Sequence, residues 1–204
     1  MTEPREDRRT RMSRRLLQNA LIEMMKTKSI HEISIKRLCE IADVNRSTFY
    51  RYYGSQYDLH REIVDRVSGE IVARATRHPD GLLNLRAVLT DTLEYIEQER
   101  ELILVLLSSN GTLNIGETFT EIVNRLTGEE QQGELRMYCI QFLSAGLTNI
   151  VWTWLQKEDH RSPQEVAGML SELFRHGVRR AILFAGRPDT AEKPSKQERS
   201  ESVC

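Results

Sequence analysis

Residues 34–53, S-I-K-R-L-C-E-I-A-D-V-N-R-S-T-F-Y-R-Y-Y, contain two helix starts built the same way, close enough that only two short helices and a tight turn fit between them. Ser34 is placed as an N-cap, with Ile33 before it and Leu38 after it to close a hydrophobic staple. Asn45 repeats the device, with Val44 and Phe49 as its staple. Ile35, Leu38, Ile41 and Ala42 fall on one side of the first helix at helical spacing, which predicts a buried face there. Asp43 occupies the turn, where a positive φ is expected and Asp is tolerated. In the second helix Phe49 and Tyr53 are anchors one turn apart. Arg46, Ser47, Tyr50 and Arg51 are left facing outward. Guanidinium, hydroxyl and phenol groups on one short helix suit phosphate oxygens and base edges. The pair therefore has the helix-turn-helix plan, whose second helix enters the DNA major groove. Arg46 and Ser47, at the start of that helix, are the candidates for reading bases.

The longer run I-A-D-V-N-R-S-T-F-Y-R-Y-Y-G-S-Q-Y-D-L resembles the signature of TetR-type (TetR/AcrR) transcriptional regulators, whose pattern is I-A-x-x-A-G-V-S, a T-x-Y-x-H/Y-F core and x-x-K-x-x-L. The match lies at Ile41, Ala42, Val44, Thr48, Tyr50, Tyr52 and Leu59. Four positions depart from it. Asp43 stands for a frequent Gly, Asn45 for Ser, Tyr53 for Phe and Gln56 for Lys. The first three preserve the turn, the cap and the aromatic ring, whereas Gln56 removes a cation near the start of the next helix. The resemblance implies phosphate contacts by Thr48, Tyr50 and Tyr52, joined by Ser34 and Lys36 from the preceding helix. Ser34 is equally accounted for as a cap alone, and Tyr52 as a packing residue.

The charge distribution agrees with a DNA-binding head. Residues 1–53 carry 12 Lys+Arg against 7 Asp+Glu, net +5, and the remainder 17 against 23, net −6, giving −1 for the 204-residue chain. An idle Arg-rich tail explains the same excess. Cys39, Cys139 and Cys204 are odd in number and far apart, which suggests neither a disulfide framework nor a zinc site. The charged N-terminus is unlike a signal peptide, and the cytoplasm is the expected compartment. Met137–Leu155 holds no charged residue, but Gln141, Ser144, Thr148, Asn149 and Thr153 interrupt it, so it is expected to be a buried helix and not a membrane span.

In chain order, residues 1–10 are expected to be disordered, and a first helix is expected from Arg11 to Thr27 with Leu17, Ala20, Leu21 and Met24 inward. His31 falls in a loop. Ser55 and Asp58 open a fourth helix that runs towards Arg77, and His78-Pro79-Asp80-Gly81 ends it. Leu102–Leu107 is a short apolar segment, Asn110-Gly111 breaks the chain, and Ile115, Phe119, Ile122 and Leu126 make a further stripe. An eighth helix is expected over Glu134–Lys157, and a ninth from Ser162-Pro163-Gln164-Glu165 to Gly186. No alternating β pattern occurs. The fold class is all-α with about nine helices: a three-helix helix-turn-helix DNA-binding domain over 1–54, a helical dimerisation and effector domain over 55–186, and a disordered tail over 187–204.

The eighth helix has more apolar faces than one core can use, so the last two helices are the expected dimer seam, with Leu147, Val151, Trp154, Phe174, Val178 and Ile182. TetR-type proteins dimerise through their last two helices, as the resemblance also implies. The stretch F-L-S-A-G-L-T-N-I-V-W-T-W-L, followed by S-P-Q-E-V-A, more loosely resembles the branch that includes regulators of dihydroxyacetone kinase operons. An effector pocket in the body is assigned to Tyr95, Leu106, Phe119, Tyr138 and Phe142, although core filling explains the same residues. The scattered histidines, with no Gly-rich phosphate loop and no G-x-S-x-G elbow, give no support to an enzyme, a metal site or a cofactor. The expected function is a homodimeric, sequence-specific repressor that binds a two-fold-related operator in double-stranded DNA and is released by a small, largely apolar effector. The alternative is a coactivator of the same fold that docks a partner protein such as a metabolic enzyme subunit. Gln56→Lys should steepen the salt dependence of DNA binding by about one phosphate contact; equal slopes for the two proteins would remove Gln56 from the interface.

Overall fold

Side-chain caps fix four helix starts and thereby the places where the chain turns. Ser34 accepts a hydrogen bond from the Arg37 N–H and Asn45 from the Ser47 N–H. Ser55 with Asp58 and Ser162 with Glu165 form reciprocal capping boxes, the second with Pro163 at the first helical position. In the computed structural model, which describes residues 8–78, 81–108, 115–127 and 133–178, these caps open α2 (Ile35–Ala42), α3 (Arg46–Tyr52), α4 (Gln56–Thr76) and α9 (Pro163–Leu173). The remaining helices are α1 (Arg8–Met25), α5 (Leu85–Gln98), α6 (Arg100–Leu107), α7 (Ile115–Thr127) and α8 (Glu134–Gln156). There is no strand among the described residues, and the fold is all-α.

The head is α1–α3, closed from below by the first half of α4. Leu17 and Leu21 of α1, Leu38 of α2, Phe49 of α3, and Leu59 and Ile63 of α4 are all essentially inaccessible to solvent and belong to one apolar cluster. Asp43 takes φ 50°, ψ 44°, the left-handed turn expected between α2 and α3. Two local expectations are corrected. α1 begins one turn earlier than Arg11 and ends at Met25. On α2 the buried residues are Leu38, Cys39 and Ala42, while Ile41 is 43% exposed. A two-turn helix buries only the side that α1 covers, and the contact with α1 rotates that side by about one position from the apolar stripe. His31, expected in a loop, sits in a 3₁₀ turn over Ile30–Glu32, with its Nδ1 2.8 Å from the Tyr57 hydroxyl.

A polar bolt crosses the same junction. Arg14 Nη2 donates to Glu62 Oε2 at 2.7 Å, Gln18 Nε2 donates to Glu62 Oε1 at 2.6 Å, and Arg14 Nε donates to the Tyr53 hydroxyl at 3.3 Å. Both carboxylate oxygens are thus satisfied in a half-buried setting, which locks α1 to α4 beside the end of α3.

In the body, α5 packs most extensively on α9, α4 packs on α5 and α7, and α7 packs on α8. The apolar run 102–107 forms α6. α4 and α5 are tied by Asp91, which lies 3.5 Å from Arg74, 2.5 Å from Arg77 and 3.4 Å from His78. α9 ends earlier than expected, passing into a single π turn at Phe174–Val178. The expected break at Asn110-Gly111, the continuation to Gly186, the N-terminal segment 1–7 and the tail 187–204 lie outside the described residues. Among those described, no helix is long and apolar enough to cross a membrane.

One buried titratable group makes the fold sensitive to acid. His60 is 5% exposed, and burial holds its pKa below the ordinary 6.5. The unfolded chain takes up this proton near pH 6.5 and the folded chain resists it, so the contribution is intact above that pH and is lost as pH falls towards the depressed value. Urea midpoints measured at neutral and at mildly acidic pH should therefore drop less in His60→Gln than in the wild type; an equal drop in both would show that His60 titrates alike in the two states.

Candidate nucleic-acid interface and internal cavity

α3 is seven residues long and cannot persist alone, because a helix this short does not repay its own nucleation. It is held from one side. Phe49 is wholly buried, and Tyr53, the C-cap, is 4% exposed with its ring 5.5 Å from that of Phe49. Burial pushes the Tyr53 phenol up to about 12, keeping the hydroxyl neutral as it accepts from Arg14. The hydroxyl that distinguishes Tyr53 from the Phe of the TetR-type pattern therefore has a partner.

The opposite side of α3 is open. Arg46, Ser47, Tyr50 and Arg51 are exposed, Tyr50 to 58%, and Thr48 is half-buried. The Ser47 hydroxyl and N–H both lie 2.9 Å from Asn45 Oδ1. Ser34 and Lys36 are exposed at the first turn of α2, and Gln56 is half-buried at the first position of α4. Tyr52 is placed differently from these. Its hydroxyl is 2.9 Å from Thr10 Oγ1, so its polar atom is engaged with α1. Sequence reasoning passed over Tyr57, exposed by 40% in the first turn of α4 and joined to His31. The available signal was a large aromatic inside the Ser55–Asp58 capping box, in the first turn of the helix.

The body contains a cavity of about 440 Å³, within the range of small-ligand sites. Its walls come from α4 (Ile71, Ala75), α5, α7, α8 and the end of α9. Of the five residues assigned to a pocket, Phe119 lines it and four do not. Tyr95 is buried in the α4–α5 seam, where the Arg74 guanidinium lies 4.7 Å from its ring centroid. Leu106 is core, and Tyr138 and Phe142 point outward, 51% and 76% exposed. Of the residues assigned to a dimer seam, Leu147, Val151 and Phe174 line the cavity instead. Trp154 is buried, its indole N–H donating to the Arg161 carbonyl at 2.6 Å. The Val178 side chain and Ile182 lie outside the described residues.

The two sets are thus largely exchanged on α8, and the reason is its composition. A helix apolar on several faces carries no periodic signal for which face turns inward, and packing against α7 decides it. The outward large apolar residues are Leu135, Met137, Tyr138 and Phe142 on α8, with Met169 and Leu173 on α9. No group of three or more His, Cys, Asp or Glu residues suited to a metal ion occurs among the described residues.

Comparison with known proteins bears on both halves of this arrangement. Residues 84–176 match the TetR-type family model described as "Transcriptional regulator C-terminal region". Among solved structures, the chain resembles the "Dihydroxyacetone kinase operon activator DhaS", with 13% identity and a TM-score of 0.52 over 86% of this chain and 98% of that one. It also resembles a TetR transcriptional regulator from Streptococcus agalactiae 2603V, with 17% identity and a TM-score of 0.58 over 89% of this chain and 97% of that one. A search of curated proteins finds no match. At such identities the structures establish a common fold, and the family model carries the kinship. Residues 84–176 are thus similar to the C-terminal region of TetR-type transcriptional regulators, and the head that precedes them has the helix-turn-helix arrangement.

Proposed function

We propose that the protein is a homodimeric, sequence-specific repressor in the cytoplasm, released from a two-fold-related operator when a small, largely apolar molecule fills the internal cavity. The observation that carries this reading is the span of α4. Its first half, through Leu59 and Ile63, seats the anchor of α3, and its second half, through Ile71 and Ala75, forms a wall of the cavity. At 1.5 Å per residue the 21-residue helix reaches about 30 Å, so an occupant that shifts one end moves the other as a rigid element.

On the DNA side, Arg46 and Ser47 read bases. Thr48, Tyr50, Ser34 and Lys36 hold phosphates, with Gln56 and Tyr57 at the margin. Tyr52 acts through Thr10 by orienting the end of α3. The seam between two copies is drawn from the outward apolar residues Tyr138, Phe142, Met169 and Leu173, since exposed large apolar side chains on consecutive helices are characteristic of an interface. The cavity also weighs against the rival reading of a coactivator worked by a docked protein, which has no need of an enclosed apolar space.

Selection of random duplexes by the purified protein near physiological salt tests the reading as a whole. Retained sequences should share a two-fold-related motif with half-sites about one helical turn apart; retention without a motif would move weight to protein docking. Tyr50→Phe should weaken operator binding about two- to tenfold, as loss of one hydrogen bond implies, and leave thermal unfolding unchanged because the ring is exposed. Unaltered binding at moderate salt would rule out that contact. Phe142→Glu should convert the protein from twice its 23.7 kDa chain mass to a monomer in light scattering, with loss of operator binding. If wild type already has the single-chain mass, or the variant stays dimeric, the seam lies elsewhere.

A further inference from the structure

The cavity is not uniformly apolar. Among the described residues that line it, the only charged side chains are Arg86 and Arg175, and no acidic residue lines it. The two cations are at the same end. Gln164 of α9 donates to Glu94 of α5, and the Arg86 guanidinium lies against Gly168, 3.6 Å from where a Cβ on that glycine would sit. α9 therefore runs antiparallel to α5, and Arg175, two turns beyond Gly168, falls towards Leu83 and Asn84, where α5 begins. That end also carries the positive pole of α5, which has no acidic residue in its first turn and no side-chain hydrogen bond from its cap, Asn84.

Neither guanidinium is committed elsewhere. Arg86 forms no ion pair among the described residues, and of the two carboxylates that share its outer cleft Asp91 is taken by Arg74, Arg77 and His78 and Glu94 accepts from Gln164. Arg175 is 3.8 Å from Glu172 in a pair more than half exposed at both members, a contact that solvent weakens and a ligand can replace. The rest of the wall is mostly aliphatic or aromatic, with Asn84, Thr92, Thr118 and Ser171 its uncharged polar members and Val88, Leu89, Ile122 and Val151 among the residues a chain would touch. A neutral apolar molecule would leave the cationic end unused, and a cationic one would be repelled from it.

We propose that the ligand class of this cavity is an anionic amphiphile, an aliphatic chain lying along α5, α7 and α8 with a terminal carboxylate held by Arg86 and Arg175. The inference rests on the reading of the cavity as an effector site and adds the chemistry of the effector. Guanidinium groups suit a carboxylate because their paired N–H donors match its two oxygens.

Calorimetric titration of the full chain with straight-chain carboxylates from octanoate to tetradecanoate and with the matching alcohols, below their micelle concentrations, tests it. At the best chain length the carboxylate should bind at least about tenfold more tightly than the alcohol, as a charge-assisted contact implies. Arg86→Gln with Arg175→Gln should remove that preference and leave the alcohol's affinity unchanged. Both residues are outward at the rim, and should the double variant not fold, the two single variants carry the comparison. Alcohols that bind wild type as well as carboxylates do, or a preference that survives both substitutions, would overturn the anionic assignment and leave the effector cavity standing. Binding of neither series would overturn the assignment together with the effector reading.

Discussion

The burial of Phe49 is the contact on which the candidate DNA-binding surface depends. α3 has only seven residues and gains little from its own hydrogen bonds, so its position is set by one ring enclosed by α1, α2 and α4. The caps at Ser34 and Asn45 and the left-handed turn at Asp43 bring α2 and α3 to an angle at which that ring can enter the core. Arg46, Ser47 and Tyr50 face solvent because Phe49 and Tyr53 face inward on the same two turns. The chemistry offered to DNA is the complement of the packing.

α4 extends that constraint to the body. At its head end the Arg14–Glu62–Gln18 network adds directional contacts to the apolar seat. At its far end Asp91 gathers Arg74, Arg77 and His78, binding the helix to α5. A charge this enclosed is stable only with its partners in place, so the seam resists sliding and favours movement of the helix as a unit. The apolar cluster is continuous from α1 through α4 and α5 to α9. This continuity is the mechanical route to α3 that the proposed effector would use.

α8 shows how an apolar sequence can serve two surfaces at once. Leu147 and Val151 close the cavity, while Tyr138 and Phe142 stand outward. On the proposed function such a helix would lie between a ligand site and a partner copy and connect the two without a further element. The wide apolar surface also explains why the inward and outward faces of this helix were not legible in its sequence.

Much of the local structure was legible in the sequence because it depends on neighbours in the chain. Caps at Ser34, Asn45, Ser55 and Ser162, the positive φ of Asp43, the inward pair Phe49 and Tyr53, and the all-α class each follow from interactions within about four residues. The exposed side of α3 was legible for the same reason, since an anchored amphipathic helix has only one other side. What the sequence did not determine was the rotation of helices whose apolar residues cover more than one face: Ile41 outward on α2, Phe142 outward and Val151 inward on α8. Nor did it bring Arg86 and Arg175, far apart in the chain, to one end of a cavity. Burial rewards any apolar face alike, so the choice among faces falls to shape and to the helices already in place, and those exist only in the tertiary structure.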